Sequence, residues 1–159
     1  MEIKYLVMDV DGTLTDGKVY ISPSGEAMKA FNIKDGYGIH DILIPNDVKP
    51  IIITGRSSEI VSIRCKELGI DDVYQGVSNK LKTIRNISVE MNRVAYIGDD
   101  LNDLECMKAV KEAKGLVGCP ADAVQEVKEV SDFVAEHNGG EGAVRDFIEW
   151  LITLSNNHR

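Results

Sequence analysis

The sequence has few of the features that mark secreted, membrane or zinc-binding proteins. Its three cysteines are an odd number without CxxC spacing, which argues against a disulfide framework and against a zinc site. No apolar run reaches the length that spans a bilayer, and charged residues close to the N-terminus argue against a signal peptide. We therefore expect a cytoplasmic protein that has no membrane partner.

Positive charge is also scarce, since 18 lysine and arginine residues face 26 aspartate and glutamate residues, a formal net charge of −8. Nucleic-acid binding needs a basic surface, so this balance predicts no nucleic-acid partner. A small anionic substrate is compatible with it, provided that a cation offsets the acidic side chains of the site. The 159 residues and 43% hydrophobic content are typical of one globular domain, which we place at 1–159.

Apolar, β-branched runs alternate with segments of helical periodicity along most of the chain. This alternation predicts an α/β fold, a three-layer, Rossmann-like, mainly parallel sheet with helices on both faces. The predicted strands are 3–8, 49–53, 72–74, 94–97, 115–117 and 133–135. The predicted helices are 37–44, 57–68, 80–91, 101–109 and 121–127, with a last one whose apolar residues lie between 144 and 154.

One segment breaks the alternation. Two short apolar stretches flank Ser22-Pro23-Ser24-Gly25, whose proline and glycine favour a tight turn. We predict a β-hairpin over residues 18–31. It is either a plain surface hairpin or a flap over a site, because an acidic motif precedes it by a few residues.

That acidic motif is Asp9-Val10-Asp11-Gly12-Thr13, at the end of the first predicted strand. Open α/β sheets bind ligands at the carboxyl ends of their strands, so both carboxylates lie where a ligand is expected. An aspartate there can act as a nucleophile, and paired carboxylates can hold a hard cation. The pentapeptide by itself is also compatible with an acidic turn.

Three further motifs follow at later strand ends. Thr54-Gly55-Arg56 joins a strand to a helix N-terminus, a combination that suits an anion. Lys80 opens the next predicted helix, where the helix dipole opposes a positive charge that faces no anion. The segment 98–103, Gly-Asp-Asp-Leu-Asn-Asp, holds three carboxylates that repel one another unless water solvates them or a cation neutralises them. By itself this segment is also compatible with an acidic cap at a helix N-terminus. Oxygen donors without histidine or cysteine favour Mg²⁺ over zinc.

In this order, the four motifs resemble those of the haloacid dehalogenase superfamily of phosphohydrolases, over residues 9–103. The resemblance implies a Mg²⁺-dependent phosphatase that works through an aspartyl-phosphate. It implies that Asp9 is the nucleophile and Asp11 the general acid and base. It further implies that Mg²⁺ is held by the side chains of Asp9 and Asp99 and by the backbone carbonyl of Asp11, with Asp103 in support.

By the same resemblance, Thr54, the Gly55 amide and Lys80 bind the phosphate oxygens. The chain between the first motif and the next helix is long enough for a hairpin but not for a cap domain, as in the capless branch of the superfamily. That branch implies a homotetramer in which the flap of each subunit covers a neighbouring active site.

Within this branch, segments 34–39, 54–56, 79–80 and 139–145 resemble the group that hydrolyses 3-deoxy-D-manno-octulosonate 8-phosphate, a small sugar-acid phosphate. Arg56 and Arg64 are candidates to bind its carboxylate, because arginine recognises carboxylates bidentately. Arg145 is a candidate to reach a neighbouring site. The alternative substrate is a nine-carbon ulosonate 9-phosphate, and the alternative of a different class is a receiver-type phosphoacceptor domain.

Overall fold

The structure, a computed structural model, describes residues 2–157. The strands are β1 Tyr5–Met8, β2 Tyr20–Ser22, β3 Gly25–Met28, β4 Lys49–Ile53, β5 Asp72–Tyr74, β6 Val94–Ile97, β7 Leu116–Cys119 and β8 Phe133–Val134. The helices are α1 Ile33–Tyr37, α2 Glu59–Leu68, α3 Lys80–Asn86, α4 Leu101–Glu112, α5 Gln125–Val130 and α6 Ala143–Asn157. In this part of the chain, no helix is long and apolar enough to cross a bilayer.

Six strands form one parallel sheet in the order β5-β4-β1-β6-β7-β8. Strand β1 lies inside it, with Val7 opposite Ile51 of β4 on one side and opposite Tyr96 of β6 on the other. The predicted α/β, mainly parallel architecture is confirmed. Because β1, β4 and β6 are neighbours, the motifs at their carboxyl ends meet at one edge of the sheet.

Both faces of the sheet are buried. Leu6 and Met8 of β1 point to one face, where they pack with α2 and α6. Val7 points to the other, where α3, α4 and α5 cover it. Burial on both faces explains why the strands appear in the sequence as continuous rather than alternating apolar runs.

The hairpin of β2 and β3 is antiparallel and separate from the sheet. Its strands lie within the predicted range 18–31 and flank the predicted turn. Large apolar side chains on it are exposed, among them Ile21 at 76% and Met28 at 53%.

Two predicted helices are wrong in their bounds. In place of a helix over 37–44, α1 begins at Ile33, after Asn32 caps it by accepting from the Lys34 amide, and a wide π-helical turn follows over Gly38–Leu43. The helix predicted over 80–91 ends at Asn86, because the chain takes a left-handed conformation at Ser88. The other element ends match the prediction or shift by one to four residues.

Candidate active site

The first acidic loop leaves β1 at Asp9, which is buried and whose Oδ1 accepts from the Val10 amide at 2.8 Å. One hydrogen bond and one close steric approach connect this loop to the segment after β6. The Thr13 hydroxyl donates to Asp99 at 3.0 Å, and a side chain at Gly12, whose φ is +86°, would collide with the Asp99 carboxylate. The turn that brings the two carboxylates together therefore requires a glycine at position 12.

Lys80 joins two buried carboxylates. Its Nζ lies 3.0 Å from Asp9 Oδ1 and 2.9 Å from Asp103 Oδ1, and only 3% of its side chain is exposed. Burial alone would lower the pKa of Lys80, but Asp9 and Asp103 raise it above its usual range. The lysine at the start of α3 is therefore a fixed positive charge beside Asp9.

Asp103 has both carboxylate oxygens occupied. Oδ1 accepts from Lys80 and, at 2.7 Å, from the hydroxyl of Tyr96, which is fully buried on β6. Oδ2 accepts from the amides of Asp99 at 3.0 Å and Asp100 at 3.4 Å. Asp103 thus orients the lysine and the loop before α4, a role that the sequence did not distinguish from metal binding.

The carboxylates of Asp9, Asp99 and Asp103 each place one oxygen within 4.8 Å of the others. Burial raises the pKa of Asp99 to about 8, and the neighbouring charges of Asp9 and Asp103 add to this effect. Burial and the charge of Asp103 also raise the pKa of Asp9 to about 6, although Lys80 opposes the shift. The cluster holds more negative charge than one lysine offsets, so an oxygen-seeking divalent cation fits it.

A cleft of about 310 Å³ opens over these groups. Its lining brings together six of the predicted residues, although they are distant in sequence: Asp9, Asp11, Thr54, Gly55, Arg56 and Asp99. Lys80 and Asp103 stand behind it, in contact with Asp9 and with the loop of Asp99.

The structure places the other two candidate arginines, Arg64 and Arg145, outside this cleft. Arg64 lies on α2, where it pairs with Glu67 at 3.2 Å and lines a separate cleft of about 210 Å³ beside Tyr37. Arg145 lies in the first turn of α6. Its amide donates to Asp35, and its guanidinium lies 5.2 Å from the Tyr37 ring centroid.

Two hairpin residues that we did not predict reach the site. Lys29 Nζ lies 2.6 Å from Asp11 Oδ1 and 3.1 Å from Glu26 Oε2. Glu26 accepts from the Ser58 hydroxyl at 2.6 Å and pairs with Arg56 at 3.5 Å. The sequence holds one signal, because Lys29 lies two residues before the aromatic Phe31, and alternate residues of an extended segment point to the same side.

A glycine pair supports the first acidic loop from behind. The Gly140 amide donates to the Thr13 carbonyl at 3.2 Å, and the Gly139 amide donates to Asp122 at 3.0 Å. A side chain at Gly139 would overlap the Gly12 carbonyl. This pair therefore allows two backbones to approach closely, which residue type alone did not reveal.

Comparison with known proteins identifies relatives of this chain. A family model of haloacid dehalogenase-like hydrolases matches residues 70–148. The chain is 42% identical over 154 residues to the 3-deoxy-D-manno-octulosonate 8-phosphate phosphatase KdsC of Escherichia coli strain K12, covering 94% of this chain and 79% of that protein. A corresponding protein of Yersinia pestis is 40% identical over the same length.

Solved structures agree with these relatives. The 3-deoxy-D-manno-octulosonate 8-phosphate phosphatase of Moraxella catarrhalis, in complex with magnesium, phosphate and KDO, matches with a TM-score of 0.88 and 37% identity. That match covers 98% of this chain and 88% of the other. A cobalt-bound phosphatase from Haemophilus influenzae matches with a TM-score of 0.88 and 34% identity, covering 98% and 90%.

Proposed function

The chain belongs to the haloacid dehalogenase-like hydrolases, in the family of the 3-deoxy-D-manno-octulosonate 8-phosphate phosphatases, and from this premise we propose that it hydrolyses that sugar-acid phosphate to the free sugar acid and phosphate. One observation carries the proposal for the site. The buried Asp9 carboxylate lines the cleft, next to Lys80 and within reach of Asp99. A nucleophile, a fixed positive charge and a cation site thus lie together, as phosphoryl transfer requires.

The magnesium ion fits the donor set of this site, which consists of oxygens alone and carries excess negative charge. We assign as ligands the side chains of Asp9 and Asp99 and the backbone carbonyl of Asp11. Asp103 supports them by holding the Asp99 loop. When bound, Mg²⁺ offsets the repulsion between the carboxylates and an incoming phosphate and stabilises charge on the transferring oxygens.

The reaction has two steps. A carboxylate oxygen of Asp9 attacks phosphorus while the bond to the sugar oxygen breaks, and Asp11 gives that oxygen a proton. Asp11 then takes a proton from water, which attacks the phosphoryl group and frees Asp9 and inorganic phosphate. Thr54, the Gly55 amide and Lys80 hold the phosphoryl oxygens, since the first two line the cleft and the third contacts Asp9.

Substrate selection is assigned to Arg56, which lines the cleft and is half exposed at its mouth. A guanidinium there can meet the carboxylate of the sugar. A nine-carbon ulosonate 9-phosphate offers the same two anionic groups and is the second candidate substrate. Arg64 lies in a different cleft of its own subunit, so a role in binding would require an approach from a neighbouring one.

Assembly and location are part of the proposal. Exposed apolar side chains on the hairpin, Ile21 and Met28 among them, support a homotetramer in which the flap covers a neighbouring site. Three buried free cysteines support a location in the cytoplasm, where thiols stay reduced. We further propose that residues 1–159 form one catalytic domain without a cap.

The test measures release of inorganic phosphate from a panel of substrates in the presence of Mg²⁺. The panel holds the eight-carbon and nine-carbon ulosonate phosphates and simple sugar phosphates. We expect the highest kcat/KM for the eight-carbon compound and loss of all activity with a chelator. Equal efficiencies across the panel would overturn the substrate assignment, and turnover that is insensitive to the chelator would overturn the metal assignment.

A further inference from the structure

Lys29 is buried although it belongs to an exposed hairpin. It follows β3 directly, and only 4% of its side chain is exposed. Its ammonium group lies between two carboxylates, Asp11 at 2.6 Å and Glu26 at 3.1 Å. Burial of an ammonium group costs free energy unless the group is paired. The buried position of Lys29 therefore depends on its two carboxylate partners.

Glu26 is the second carboxylate that pairs with Lys29. Its other oxygen accepts a hydrogen bond from the Ser58 hydroxyl at 2.6 Å, at the N-terminus of α2. The Ser58 hydroxyl and Lys29 both lower the pKa of Glu26, so it is ionised at neutral pH. The hairpin is thereby fastened to the loop after β4, across the cleft from the loop after β1.

The two catalytic aspartates are held in different ways. Asp9 is buried and fixed by the Val10 amide and by Lys80. Asp11 has a side chain that is 25% exposed, and Lys29 is the partner that donates to its carboxylate. Loss of Lys29 would remove this hydrogen bond and ion pair from the Asp11 carboxylate.

We infer that Lys29 is a positioning residue that aims the Asp11 carboxyl group at the leaving oxygen, and that Glu26 holds Lys29 for this task. The inference rests on the proposed function of Asp11 as the general acid. It assigns the hairpin a role in its own subunit, in addition to covering a neighbouring site. It also predicts that loss of Lys29 impairs proton donation rather than phosphate binding.

Leaving-group dependence separates positioning from a merely structural role. A sugar alkoxide is a poor leaving group and needs the proton from Asp11, whereas p-nitrophenolate leaves readily without one. The ratio kcat/KM reports the steps up to transfer of the phosphoryl group to Asp9. If Asp11 is misoriented, kcat/KM therefore falls for an alkyl phosphate and changes little for p-nitrophenyl phosphate.

The experiment compares wild type, Lys29→Met and a matched control, Lys18→Met, on both types of substrate. Lys18 lies at the start of the same hairpin segment with 74% of its side chain exposed. For Lys29→Met we expect kcat/KM to fall at least about tenfold on the sugar phosphate and less than about threefold on p-nitrophenyl phosphate. For Lys18→Met we expect both values to stay within about twofold of wild type. An equal loss on both substrates, or no loss on either, would overturn the inference.

A second variant keeps the test decisive if Lys29→Met does not fold. Lys29→Gln removes the charge but keeps an N–H donor, on a side chain that is one bond shorter, and the same selective loss is expected at about threefold or more. The alkyl substrate is whichever sugar phosphate the wild type hydrolyses best in the panel described above. A different preferred sugar would thus overturn the proposed substrate and leave the test of Lys29 intact.

Discussion

Replacing Tyr96 by phenylalanine tests whether the buried network behind the nucleophile stabilises the protein. The change removes one hydroxyl, which donates to Asp103 over 2.7 Å, and both residues are fully buried. A hydrogen bond to a charged group contributes about 1.5–3 kcal/mol to the free energy of unfolding. Because Asp103 keeps its bonds to Lys80 and two amides, we expect the low end, about 1.5–2 kcal/mol. For a protein of this length, that corresponds to a fall in Tm of about 3–8 °C.

Urea unfolding and calorimetry of wild type and Tyr96→Phe measure this loss. Burial and Asp103 raise the pKa of Tyr96 well above 10, so the hydroxyl stays protonated across the range of the assay. Tyr74→Phe, the same substitution at a half-buried position on β5, is the control, and we expect a change within about 0.5 kcal/mol. An unchanged free energy of unfolding in Tyr96→Phe, or an equal loss in Tyr74→Phe, would refute the reasoning.

Three further predictions concern the loop, the pH response and the metal. Gly12→Ala places a methyl group against the Asp99 carboxylate, at a position where the backbone is left-handed. We therefore expect the rate of phosphate release to fall at least about tenfold, while the circular dichroism spectrum stays unchanged. Activity within about twofold of wild type would contradict this prediction. Burial raises the pKa of Asp35 from 3.8 to about 6, so the folded state binds the Asp35 proton more tightly than the unfolded state does. Its contribution to the free energy of unfolding therefore falls by up to about 3 kcal/mol as the pH rises from about 4 to about 6. Asp35→Asn should flatten this slope in urea titrations, and an identical slope would show that another group causes it. Mg²⁺ should raise Tm and a chelator should reverse the rise, because the ion binds the folded carboxylates; a Tm that ignores both would argue against the metal site.

The sheet could be predicted more accurately than the helices. The bounds of β4, β5 and β6 match the predicted 49–53, 72–74 and 94–97. For β4 and β6 the reason is that strands buried on both faces form continuous apolar runs. The region after residue 31 was harder. Its π-helical turn packs against α6, which lies about a hundred residues later in the chain. The spacing of apolar residues within the segment gives no information about so distant a contact.

The site residues that follow directly after a strand could be predicted from the sequence. Asp9, Thr54 and Asp99 follow three neighbouring strands, and the parallel sheet brings them to one edge. Lys29 and Tyr96 could not be placed by the same reasoning, because the first reaches the site from the hairpin and the second from inside a strand.

For the candidate arginines, the sequence predicts a type of ligand but not a location. Residue type predicts that Arg56 and Arg64 bind carboxylates, but it does not predict which helix face or loop end each occupies. The structure places Arg56 at the cleft and Arg64 against Glu67, on a different surface of the chain.

Phosphate release by wild type and Asp9→Asn, with 3-deoxy-D-manno-octulosonate 8-phosphate and Mg²⁺, tests the central claim most directly. Asparagine keeps the size of the side chain and an oxygen that can accept from the Val10 amide, but its amide is a far weaker nucleophile toward phosphorus. We predict that wild type releases phosphate steadily and that Asp9→Asn, folded and pure, is slower by at least about a thousandfold. Release by Asp9→Asn within tenfold of wild type would contradict the account.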